Sequence, residues 1–75
     1  MEMDRAAGVL VALRRCSFEE ASDELLEAAK RHRVAPVAVA RALVALAEGV
    51  VDDEPATAAA RYEWAELLES RAVPQ

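Results

Sequence analysis

The chain has no asparagine, and its only glutamine is the last of its 75 residues. The two side chains best suited to reading base edges in a DNA major groove are therefore missing from its interior. Aromatic residues number three, Phe18, Tyr62 and Trp64, and there is one cysteine and one histidine. A lone cysteine excludes an intrachain disulfide and fits a reducing compartment, so a cytoplasmic location is expected. Cys16 and His32 belong to no metal-ligand spacing, and each falls at a helix-packing or helix-end position. With only Gly8 and Gly49 there is no glycine-rich phosphate loop. No catalytic residue, metal site or cofactor is expected, and the chain does not read as an enzyme.

Long hydrophobic runs are also missing. The longest, Ala6–Leu13, is broken by Gly8 and is far short of the roughly eighteen residues of a membrane span. Acidic residues at the start of the chain are unlike a signal peptide.

Alanine is abundant, at 18 residues, within a hydrophobic share of 55 %. Alanine favours helix but buries little area, so an all-α fold with a thin core is expected, and a partner copy is a reasonable source of added stability. The net charge of −5 is unevenly placed. Residues 1–49 hold 7 basic against 8 acidic side chains, and residues 50–75 hold 2 against 6. That shift predicts a domain over 1–49, with 50–75 forming an acidic joint and an appended helix. Eight arginines against one lysine, with abundant Ala and Val, suggest a bacterial genome rich in GC.

Four helices can be placed. Met3, Ala6, Ala7, Leu10 and Leu13 recur at helical spacing over about Glu2–Arg14. Val9 and Val11 make that helix apolar nearly all round, as suits a central helix or one shared with another chain. Ser17 and Glu20 form a capping box at the start of the second helix. Its stripe is Phe18, Ala21, Leu25, Ala28 and His32, with Phe18 placed in the core, and its end is Lys30-Arg31-His32-Arg33. Pro36 suits the first position of the third helix, whose buried face is Val39, Ala40, Leu43, Val44 and Ala47, with Gly49 as its C-cap. Asp52 or Asp53 can cap the fourth, with Pro55 in its first turn. Ala56, Ala60, Trp64, Leu67 and Leu68 form its apolar side, and Arg71-Ala72-Val73-Pro74 ends it.

With the helices placed, residues 6–44 resemble the ANTAR domain, the RNA-binding output module of bacterial antiterminators. Ala6-Ala7-Gly8-Val9-Leu10-Val11 is similar to its opening element. Arg15-Cys16-Ser17-Phe18-Glu19-Glu20-Ala21 is similar to its charged turn, followed by Leu25 and Ala29. Val39-Ala40-Arg41-Ala42-Leu43-Val44 is similar to its closing element, and no gap is needed. The resemblance implies a three-helix unit that binds paired RNA stem-loops, usually as a dimer, and prevents a terminator from forming. Family members are commonly fused to a receiver or sensory domain.

Three positions depart from the family pattern. Ser22 stands where an aromatic is usual, Leu26 where a basic residue is usual, and Ala7 where the opening element has lysine. The cations left for RNA are Arg14, Arg15, Lys30, Arg31, Arg33 and Arg41. A structured RNA hairpin is the expected partner, and the alternative is a protein–protein module that dimerises or docks a partner regulator. A helix-turn-helix DNA binder is disfavoured, because the third helix is mostly Ala and Val.

Overall fold

The computed structural model describes residues 2–50 and 53–72, with side chains described as far as Ser70. Four helices follow in order: α1 Glu2–Arg14, α2 Phe18–His32, α3 Pro36–Ala47 and α4 Pro55–Ala72. The described residues contain no strand.

Helix boundaries follow local chemistry. At the start of α2 the Ser17 hydroxyl accepts the Glu20 N–H at 3.0 Å, and the Glu20 carboxylate accepts the Ser17 N–H at 2.9 Å. This is the expected capping box, and it satisfies two of the amides that a helix start leaves without partners. The bond from the Ser17 backbone, then that from its side chain, holds the Glu20 carboxyl below its usual pKa. Pro36 opens α3, where its missing N–H removes no helix bond.

At the other end of α3, Val50 N–H reaches the Ala45 carbonyl at 2.9 Å and Gly49 N–H reaches Leu46 at 3.0 Å. This is a Schellman ending with Gly49 at φ 84°, the left-handed conformation glycine adopts at least cost. Pro55 opens α4 and Glu54 immediately precedes it, its carbonyl accepting Ala58 N–H at 3.1 Å. Asp53 therefore lies one residue outside the cap position; Asp52 lies outside the described residues, as do Val73 and Pro74 of the expected C-terminal stop.

The core is a layer of alanines set around a few large side chains. Leu10, Leu25, Val39, Leu43 and Trp64 are fully buried, as are Ala6, Ala7, Ala21, Ala28, Ala40 and Ala60. Small residues let the helices approach closely, so α1 packs on α3 and α2 while α4 lies across α3 and also meets α2. Trp64 is the largest buried side chain. Burying an indole removes about 200 Å² from water, on the order of 5 kcal/mol of apolar transfer. The expected appended helix thus shares one continuous core with α1–α3.

Two core expectations need correction. Phe18 is 52 % exposed, because it is the first residue of α2 and the packed layer begins one turn later at Ala21. Ala47 is exposed as well; it lines an open cleft between α1 and α3, and Ala42 is buried instead.

Candidate RNA-binding surface

Arg15 and Arg33 occupy unusual backbone positions. Each has φ 55°, and they are the only non-glycine residues with positive φ among those described. Arg15 follows α1 and its N–H donates to the Val11 carbonyl at 2.8 Å. Arg33 caps α2: its N–H reaches Lys30 at 3.3 Å, and Val34 N–H reaches Ala29 at 3.0 Å. Both are left-handed helix endings, where glycine meets no Cβ penalty and arginine does. Both side chains are exposed and form no ion pair among the described residues.

Arg33 shares a groove of about 370 Å³ with Lys30, Leu26 and Val34, where α2 turns into α3. Lys30 is 3.9 Å from Glu27, a loose (i, i+3) pair on the solvent side. Leu26, at the position where a basic residue is usual in the family, is 41 % exposed and lines this groove with the two cations. Ser22 is half-buried, and Ala7 is in the core, where a lysine would be desolvated without a partner.

Arg14 and Arg31 are engaged by carboxylates. Arg14 Nε donates to Glu24 Oε2 at 2.9 Å, and the same oxygen accepts the Trp64 indole N–H at 2.6 Å. Arg31 donates to Glu63 through Nη2 at 2.8 Å and Nε at 3.3 Å. His32 Nε2 lies 2.8 Å from Glu63 Oε2, the oxygen that also accepts from Arg31 Nε. The Arg31 bonds hold the Glu63 carboxyl below its usual pKa against the opposing effect of burial, with a further lowering from His32. The Arg31 guanidinium is correspondingly raised. Glu63 and Trp64 both belong to α4, so two carboxylate junctions join that helix to α2.

Arg41 lies apart from the Lys30–Arg33 groove. It lines a cleft with Glu2, Arg5 and Glu48 and another with Glu54 and Thr57. The six expected cations therefore fall into a groove pair (Lys30 and Arg33), an exposed turn (Arg15), two carboxylate-held arginines (Arg14 and Arg31) and the separate Arg41. What sequence reasoning missed was the pairing of Arg14 and Arg31 with carboxylates, one of which comes from α4. Positions 31 and 63 are too far apart in sequence for helical spacing to reveal it.

Cys16 contributes no reactive arrangement: its Sγ faces the Leu10 carbonyl at 3.9 Å as a weak contact closing the α1–α2 turn. No cluster of three or more potential metal ligands occurs among the described residues. None of the described helices is long and apolar enough to cross a membrane.

The described residues form an all-helical unit with a capped α2, a proline-started α3 and arginines at two left-handed helix endings. The chain belongs to the ANTAR domain family: the family model matches residues 2–44, which takes in α1, α2 and most of α3. No curated protein and no solved structure matches the chain. The match ends before α4, so Glu63 and Trp64 lie outside the segment that defines the family.

Proposed function

We propose that this chain is the RNA-binding module of a bacterial transcription antitermination regulator, contacting a structured hairpin. The contacts centre on Arg15, Lys30 and Arg33; Arg14 and Arg31 lie beside them in sequence, each held by a carboxylate, and Arg41 stands apart. The carrying observation is that both left-handed non-glycine positions are exposed arginines. α3 ends with Gly49 at φ 84°, so a glycine ending is available to this fold, whereas arginine at the other two endings sets a favourable charge at the helix C-terminus against the cost of left-handed backbone. Strain retained at exposed cations is a sign of function, and guanidinium can clamp phosphate and stack on bases. Titration of the protein with loop-bearing hairpin RNAs at low salt tests this reading. Failure to bind any of them would sink it.

A second reading is favoured by α1. Gly8 has helical φ, and a Cβ built on it meets nothing within 4 Å, so neither conformation nor packing within the chain requires glycine. It lines an apolar cleft of about 860 Å³ with Val9, Leu13, Val44, Leu46 and Leu68. In that reading the bundle dimerises or docks a partner regulator through this cleft and has lost RNA binding. Strictly monomeric behaviour in light scattering at high concentration, with no partner captured, would rule it out.

A further inference from the structure

We infer that Tyr62 is a stacking platform for an unpaired base of the bound RNA, supplied by the helix that lies outside the family match. The inference rests on the RNA-binding reading above and assigns a contact within it.

Of the three aromatics, Trp64 is fully buried and its N–H is taken by Glu24. Phe18 is partly exposed, but it stands beside Glu19 and Glu20, both exposed, so a phosphate approaching it meets like charge. Tyr62 is 82 % exposed, the most open of the large apolar side chains. Its surroundings are mixed in charge: exposed Arg61 precedes it and His32 packs against it, while Glu63, which follows it, is taken up by Arg31 and His32, and exposed Glu66 lies one turn on.

The ring is also held in place. It meets His32 in a T-shaped contact, centroids 5.4 Å apart at 67°, and His32 is fixed in turn by the Glu63 carboxylate at 2.8 Å. A ring contacted edge-to-face by one neighbour and otherwise in water keeps area free for a base. Limiting its motion before binding lowers the entropy lost on stacking. Arg31, adjacent to His32, lies on the same α2–α4 junction, where its guanidinium is held by Glu63. Unpaired bases are held by aromatic faces in a manner tolerant of sequence, which suits a chain without asparagine.

The test compares wild type, Tyr62→Ala and Tyr62→Phe on a hairpin RNA carrying a fluorescent adenine analogue in its loop, at two salt concentrations. Tyr62→Ala is expected to weaken binding roughly five- to hundredfold, the range of one lost base stack, and to abolish quenching of the analogue. The salt slope should stay unchanged because no cation is removed. Tyr62→Phe keeps the ring and should bind within about twofold of wild type. Because the side chain is exposed, the circular dichroism melt of Tyr62→Ala should match wild type. Wild-type binding with Tyr62→Ala equally tight overturns the inference and leaves the RNA reading standing. A loss accompanied by a changed salt slope overturns it too, since charge would then be involved. Absence of wild-type binding removes both.

Discussion

The indole N–H of Trp64 donates to Glu24 Oε2 at 2.6 Å, and Arg14 Nε reaches that same oxygen at 2.9 Å. One carboxylate of α2 thus holds the end of α1 and the middle of α4. The Glu24 side chain is 24 % exposed, so the junction is partly shielded and its bonds are worth more than those of a surface pair.

Removing the indole should be the most damaging single change in the fold. Trp64→Ala is expected to cost about 3–5 kcal/mol, a large part of what a domain this small possesses. Trp64→Phe keeps most of the volume but loses the bond to Glu24, and should cost about 1–3 kcal/mol. Denaturant unfolding followed by circular dichroism measures both.

Stability should fall in acid partly through Glu63. Its carboxyl is lowered below its ordinary value, first by the Arg31 hydrogen bonds and then by His32. A group with a lowered folded pKa contributes stability that is present above the unfolded value and lost as pH falls through the folded one. Glu63→Gln should therefore flatten the acid limb below the ordinary glutamate range. At neutral pH it should also release Arg31 and tighten binding to hairpin RNA. A pH series of unfolding curves, with one RNA titration at neutral pH, checks the pair.

Glycine at position 33 should make the fold more stable. The α2 ending is left-handed at Arg33, and Arg33→Gly removes the Cβ conflict, for a gain of about 0.5–1 kcal/mol. Arg15→Gly should act in the same direction. Thermal melts of each variant read the sign directly.

Much of the fold could be read from residue order. Ser17 and Glu20 announce the start of α2, Pro36 that of α3 and Pro55 that of α4, because capping and proline chemistry are local. The spacing of Ala21, Leu25 and Ala28 likewise marks a buried face. Phe18 misled because periodicity says which side a residue faces, while burial also depends on where the neighbouring helices end. The binding surface was less legible: the cations could be named, but Glu63 on Arg31 and Glu24 on Arg14 are pairings across helices. The left-handed arginines likewise carry no signal in composition.

Gly8→Ala separates the two roles of α1. If no partner backbone approaches there, alanine should stabilise the protein by about 0.5–1 kcal/mol, since its Cβ meets nothing within 4 Å. If the cleft holds another chain closely, the same change should weaken association in sedimentation velocity while the isolated fold becomes no less stable.

The most direct measurement compares the salt dependence of hairpin RNA binding for wild type and the double variant Arg15→Gly, Arg33→Gly. If these arginines are retained for phosphate contacts, the variant should be the more stable protein and yet bind more weakly. Its slope of log affinity against log salt should be shallower by about 1.4–1.8, as two lost phosphate contacts require. An unchanged slope and affinity in the stabilised variant would contradict the account.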